Sequence, residues 1–208
     1  ESVAPQSTWV LSVLGRLLLQ DDQLEEALSK YQSALELAPR NSVYMFYVAE
    51  VLAKLDRADE AEELRQKAIA IGLEPTQTLS QVTALAWNLL TAEDESLRDD
   101  EVALKMVMQA MNVSPQAKDG TRTLGIAHYR NDNWQEAKDA LTASLKSRPD
   151  HGCEMFCLTM TEWQLGNKEK ARQWYDEATA WMNQHQPHNA ELIRFRDEAE
   201  ELLQAARP

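Results

Sequence analysis

The stretch TLGIAHYRNDNWQEAKDALTASLKSRP, residues 123–149, carries a glycine inside an otherwise helical pattern. Gly125 costs about 1 kcal/mol relative to alanine in a helix interior, so its presence asks for a packing reason. After it, Arg130-Asn131-Asp132-Asn133 is a turn signal. Beyond the turn, Trp134, Ala137, Leu141, Ser144 and Leu145 recur at spacings of three and four, which predicts a second helix. A helix, a tight turn and a returning helix bring small residues together. The reading places Gly125 opposite Ala137, where two backbones approach closely.

The arrangement repeats along the chain. Alanines in equivalent settings are Ala27, Ala61, Ala103, Ala137 and Ala171, separated by 34, 42, 34 and 34 residues. A second small residue follows each seven positions later: Ala34, Ala68, Ala110, Ser144 and Ala178. Leu14-Gly15 and Leu124-Gly125 precede their alanines by twelve positions, with Val48-Ala49 and Leu158-Thr159 in the same places. Proline punctuates the ends at Pro39, Pro115 and Pro149, and less regularly at Pro75. No strand signal of sustained alternation flanked by hairpin glycines competes with this period.

A 34-residue period with Leu-Gly, a later alanine and a closing proline resembles the tetratricopeptide repeat. The resemblance covers residues 8–183. It implies an all-α, right-handed α-solenoid of five helix-turn-helix repeats, 8–41, 42–75, 79–117, 118–151 and 152–185, after a linker at 1–7. Its core is distributed along the stack rather than central. Residues 189–206 read as a capping helix, with a Leu192, Phe195, Ala199, Leu202 and Leu203 stripe and a polar outer face; Trp174 and Trp181 are expected to pack beneath it with Phe195. Departures from the pattern are Ala49 for glycine, Arg65 for the usual aromatic, Thr159 for glycine, and about five extra residues in the third repeat, within LLTAEDESLRDDEVAL. Over residues 84–203, the stretches ALAWNLLTAEDESLRDDEVALKMVMQAM, TLGIAHYRNDNWQEAKDAL and TEWQLGNKEKARQWYDEATAWM with the later ELIRFRDEAEELL are similar to C-terminal repeat regions of planctomycete proteins. There such arrays follow kinase, beta-propeller or other effector domains, which implies a bacterial, multidomain parent. A first residue other than methionine fits a fragment or processed product.

Charge narrows the partners. A net charge of −13 with scattered lysine and arginine opposes binding to a phosphate backbone, so no nucleic-acid partner is expected. The longest apolar run, WVLSVLGRLLL (Trp9–Leu19), is far shorter than the about twenty residues needed to cross a bilayer, so no membrane span is expected. Cys153 and Cys157 on one helix lack a second ligand pair for zinc and read as packed, reduced thiols. His185 and His188 lack a third ligand nearby. The acidic run Glu93-Asp94-Glu95 and Asp99-Asp100-Glu101 lacks the spacing of a calcium loop and reads as a solvated turn. LGNKEKA at 165–171 lacks the spacing and preceding strand of a phosphate loop, and Asp150-His151 has no nucleophile in a recognisable motif. The chain is therefore expected to be non-catalytic, without cofactor or metal, and cytoplasmic.

The repeat resemblance implies that first helices line a concave groove. Residues there outside the Leu-Gly packing side are Phe46, Glu50 and Lys54; Thr83, Trp87 and Leu90; Arg122, Ile126, Tyr129 and Arg130; and Phe156, Met160, Trp163 and Gln164. Aromatics and arginine are the types that carry binding hot spots. Arg122 and Arg130, two helical turns apart, would suit a protein or peptide segment with an acidic residue flanked by apolar ones, unless they pair with carboxylates of the array itself. Family members that hold a terminal carboxylate in a Lys, Asn and Arg clamp are not matched, since the corresponding positions are Ser12, Arg16, Tyr47, Glu50 and Thr83. The first helix is apolar nearly all round, which predicts self-association through residues 9–19 or cover by an upstream domain. Two functions follow: a scaffold binding a segment in the groove, or a structural array that docks on its own parent or on itself.

Overall fold

The computed structural model describes residues 7–113, 118–147 and 152–205. Pro115, Pro149, Asp150, His151, the first six residues of the expected linker and Ala206 lie outside the described residues. The chain forms α1 (Thr8–Gln20), α2 (Leu24–Leu37), α3 (Ser42–Lys54), α4 (Ala58–Gly72), α5 (Leu79–Thr91), α6 (Asp100–Val113), α7 (Lys118–Arg130), α8 (Trp134–Ser147), α9 (Gly152–Gln164), α10 (Lys168–His185) and α11 (Ala190–Gln204). A single 3-10 turn, Glu95–Leu97, precedes α6. Every regular element among the described residues is helical, and the fold class is all-α.

Four turns between helix partners are closed by one device. Asp22, Asp56, Asp132 and Gly166 all take positive φ, from 58° to 82°. Aspartate tolerates this region better than most side chains, and glycine enters it without steric cost. In each turn the next amide reaches back five residues: Gln23 to the Leu18 carbonyl, Arg57 to Leu52, Asn133 to His128 and Asn167 to Glu162, at 2.8–3.0 Å. The left-handed residue's own amide reaches back three, to Leu19, Ala53, Tyr129 and Trp163. This paired closure satisfies carbonyls at the end of the first helix and starts the second after only three residues. These turns are the structural form of the QDDQ, LDRA, NDNW and LGNK stretches.

The glycine of the opening stretch has its packing reason, one turn away from the expected place. A Cβ on Gly125 would lie 2.7 Å from Leu141 Cγ and 3.1 Å from the Leu141 backbone nitrogen. The facing residue is therefore Leu141 and not Ala137, which is itself fully buried. Gly15 repeats the geometry against the Tyr31 ring, where a Cβ would approach to 2.7 Å. Glycine thus admits a large side chain of the second helix against the backbone of the first.

Contacts divide the chain into two compact units, residues 1–102 and 103–208. In the first, α1 pairs with α2 and α3 with α4, and α5 packs on α3 and α4. Its core includes Leu11, Leu28, Tyr31, Phe46, Val51, Leu85 and Leu89. The insertion in the third repeat is folded onto this core: Leu97 is buried, Arg98 Nε donates to the Ala92 carbonyl at 2.8 Å, and the Asp99 amide donates to the Leu89 carbonyl at 3.1 Å. Asp99 also meets Arg65, which is buried and holds Glu62 through two further bonds of 2.6 and 2.9 Å. Two departures from the repeat pattern, the arginine in an aromatic place and the extra residues, thus compensate each other.

In the second unit α7 pairs with α8 and α9 with α10, while α11 packs on α9 and α10. Helix α9 is enclosed: Gly152 to Trp163 are all buried, including Glu154 and Glu162. Glu162 is tolerable there because Lys138 and Lys170 ammonium groups lie at 3.1 Å and Asn167 Nδ2 donates at 2.7 Å. Burial pushes its carboxyl up, but these partners outweigh burial and hold it below the usual glutamate range.

Candidate functional site

In residues 1–102 the first helices bring polar and aromatic side chains together near the surface. Tyr47, Glu50 and Lys54 share one face of α3 by their spacing; the first two are half-buried and Lys54 is exposed. Arg16 of α1 is exposed and close enough to bias the Tyr31 and Tyr47 phenols. Asn88 of α5 lies close enough to Tyr47 to bias its phenol, beside half-buried Trp87. Burial, then the Glu50 carboxylate, push the Tyr31 hydroxyl well above its usual value. The Tyr47 ring lies tilted against Tyr31 at 5.1 Å and Tyr44 at 6.4 Å, giving the face an aromatic floor. Lys54 Nζ pairs with Glu93 of the insertion at 2.7 Å. Phe46, Thr83 and Leu90, expected in the groove, are buried instead. They point into the helix stack, and the Thr83 hydroxyl is spent on the Leu79 carbonyl at 2.9 Å.

The apolar and aromatic groove residues expected in residues 103–208 are covered. Ile126, Phe156 and Met160 have no exposed surface, and Tyr129 and Trp163 retain 8% and 6%. Tyr129 packs on Trp134 at 5.4 Å, Phe156 on Tyr175 at 6.1 Å, and Trp163 lies under the Lys168 ammonium, 3.6 Å from its ring centre. Arg130 holds Glu198 of α11 through its two terminal guanidinium nitrogens, one bond measuring 2.7 Å. Its carboxylate partner is therefore the chain's own. Burial weakens the Arg130 charge, but the Glu198 bond and charge more than restore it. Arg122 is half-buried near the Cys153 thiol, and Gln164 is exposed.

Helix α11 packs over part of this face, on α9 and α10. Leu192, Phe195 and Ala199 are its buried stripe. Gly152 gives it room, since a Cβ there would meet Leu192 at 3.0 Å and the Trp181 ring at 3.1 Å. Tyr175 donates to Glu200 at 3.2 Å. Cys153 and Cys157 are free and buried, and burial pushes both thiols up. The α11 carboxylates Glu191 and Glu198 push in the same direction. Among the described residues no group of three His, Cys, Asp or Glu could hold a metal ion, and no helix is long and apolar enough to cross a membrane.

The sequence profile of the family described as "Tetratricopeptide repeat" matches residues 13–72 and 122–185. The chain belongs to the tetratricopeptide-repeat family. No curated protein matches it. Among solved structures it is similar to PilW, described as a widely conserved type IV pilus biogenesis factor, with TM-score 0.63 and 18% identity over 98% of this chain and 94% of that one. A thermophilic tetratricopeptide-repeat protein of Thermus thermophilus gives TM-score 0.61 and 19% identity, over 94% and 100%. YrrB, described as a tetratricopeptide-repeat protein with an unusual peptide-binding site, gives 0.50 and 21%, over 90% and 91%. At these identities the likeness shows the fold, an all-α solenoid type, and no more.

Within the tetratricopeptide-repeat frame, sequence reasoning reads Arg16 and Tyr47 only as positions that fail to match a carboxylate clamp, not as part of the expected groove, and misses Asn88. Tyr47 was available as a signal, because it precedes Glu50 by three positions and Lys54 by seven on one helix. Arg16 is the counterpart of Glu50 one repeat earlier, at 34 residues' distance.

Proposed function

We propose that the chain is a non-catalytic, cytoplasmic interaction scaffold that binds a peptide or protein segment on its first-helix face in residues 1–102. Tetratricopeptide-repeat proteins generally mediate protein–protein interaction, and the observation that carries the reading here is the surface formed by Arg16, Tyr47, Glu50, Lys54 and Trp87. Aromatic walls with both charge signs suit a segment that is fixed in orientation by polar contacts and held by flat apolar ones. Similarity of the last three repeats to planctomycete arrays supports a role as the regulatory or adaptor region of a larger bacterial protein. The test is a photo-crosslinker at Glu50 or Trp87, compared with one at exposed Glu63 on α4. One polypeptide captured from both first-helix positions and not from Glu63 supports the reading; equal capture from all three overturns it.

The second reading, docking on the parent or self-association, has its own observation. Trp9, Val10, Leu14 and Leu17 of α1 are exposed, Trp9 by 69% and Leu17 by 50%. Such a cluster on one helix marks an interface. Light scattering over a concentration series, with Val10→Glu and Leu17→Glu as control, separates a self-associating chain from one that stays monomeric.

A further inference from the structure

We propose that the face of residues 103–208 beneath α11 is a helix-binding site, held closed by α11 as an internal occupant. The partner it fits is an acidic amphipathic helix with apolar residues at positions i, i+3 and i+7 and a carboxylate at i+6. That is the chemistry of Leu192, Phe195, Ala199 and Glu198 in the helix now seated there.

The seat is built from side chains that an ordinary solvent-facing helix would not present. Gly152 leaves a hollow for Leu192 against the Trp181 ring. Cys153 and Cys157 offer small, polarisable surface with no exposed area of consequence, and Cys153 Sγ lies 4.0 Å from Glu191. At one end Arg130 presents a two-pronged donor to a carboxylate, its side chain only 17% exposed. A guanidinium so placed recognises a planar anion by orientation as well as charge. Without a carboxylate there it would be a poorly solvated cation, so the site selects an acidic helix over a basic one.

The occupant is weakly attached by comparison with the helix it covers. Three of the fifteen residues of α11 are buried, whereas twelve of the thirteen in α9 are. Its polar ties include the Arg130–Glu198 pair and the Tyr175–Glu200 hydrogen bond, and Glu198 is 35% exposed. The short Gln186–Asn189 connection keeps α11 at high local concentration, so an incoming helix competes with a tethered one. Release of α11 thus regulates access to the site. The inference rests on the scaffold reading but uses residues 103–208 alone. Crosslinking that fails at Glu50 and Trp87 breaks the earlier assignment without touching this one.

The test uses the full chain and a labelled peptide, NAELIRFRDEAEELLQA, with the sequence of residues 189–205. Fluorescence anisotropy should show at least roughly tenfold tighter binding to the Phe195→Asp chain than to wild type, because the chain's own helix no longer competes. Adding Arg130→Glu should remove that gain, and a peptide carrying Glu198→Arg should restore it. If circular dichroism shows that Phe195→Asp unfolds the chain, Glu198→Arg serves as the opened variant, read with the native peptide. A folded, opened variant that binds the peptide no better than wild type overturns the proposal, as does a charge swap without effect.

Discussion

The first helices of the two units carry the same repeat positions and end up in different environments. In residues 1–102, Arg16, Tyr47, Glu50 and Lys54 keep access to solvent. In residues 103–208, Ile126, Tyr129, Phe156, Met160 and Trp163 are buried, and Arg130 is tied to Glu198. Repeat position decides which way a side chain points, whereas its exposure is decided by what packs against the helix afterwards. Here α8, α10 and α11 each contribute, through Trp134, Tyr175 and Glu198. The first four predictions probe this contrast, from the largest effect to the smallest.

Phe46 and Phe156 are core residues, one in each unit. Phe46→Ala and Phe156→Ala should each cost about 3–5 kcal/mol in denaturant unfolding. A change of a few tenths for either would return that residue to the binding face.

Packing at the helix crossings comes next. Gly125→Leu should cost about 1–3 kcal/mol, because Leu141 and its backbone nitrogen already touch the place a Cβ would take. Gly125→Ala, which the presence of Ala49 in the second repeat suggests is harmless, should also lower the unfolding midpoint. Gly15→Ala should cost less, since the atoms nearest its added Cβ all belong to the Tyr31 ring, whereas at Gly125 a backbone nitrogen is among them.

Removing Arg130 or Arg65 compares the two charge clusters. Arg130→Met should cost about 1 kcal/mol, in the range of partly exposed pairs. Arg65→Met should cost somewhat more, because it releases both Glu62 and Asp99. Chemical denaturation of the two variants side by side checks the order.

Acid sensitivity is shared at low pH, where Glu62 and Asp94 of residues 1–102 are also held below their usual range by Arg65 and Ser96, but its upper step should reside in the C-terminal unit. The residue whose carbonyl closes each turn is Leu18, Leu52, His128 or Glu162, so only the later two titrate. Burial lowers the His128 pKa, and Glu162 is lowered by its partners against burial. Both folded-state values lie below the unfolded ones, so the unfolded chain takes protons more readily. Stability is therefore full above about pH 6.5 and falls as pH drops, first through His128 and then, below about 4.3, through Glu162. Glu162→Gln should flatten the lower part of a stability–pH curve and leave the upper part unchanged.

Much of the fold was legible in the sequence because the repeat period records helix pairing directly. Gly15 and Gly125, the alanine series and the NDNW-type turns each report a close contact within a single helix pair. The surface was legible only in part. Tyr129 is covered by Trp134 of α8, Phe156 by Tyr175 of α10, and Arg130 is tied by Glu198 of α11, and nothing in their local pattern distinguishes a covered groove from an open one. The Arg130–Glu198 pair spans 68 residues, two full periods, and a period shows equivalence between positions without showing contact between them. Arg65 and the insertion each looked like a defect alone. Their meaning lay in the Arg65–Asp99 pair, which only the folded chain brings together.

The contrast between an open and a closed first-helix face is tested most directly by thiol reactivity in the folded full chain. Lys54→Cys places a thiol on the N-terminal face, and native Cys153 and Cys157 report on the C-terminal one. Under native conditions a thiol reagent followed by mass spectrometry should modify the introduced thiol within minutes. Cys153 and Cys157 should stay unmodified until α11 is loosened by Glu198→Arg. Labelling of Cys157 at the rate of the introduced thiol in the otherwise unchanged chain would contradict the account.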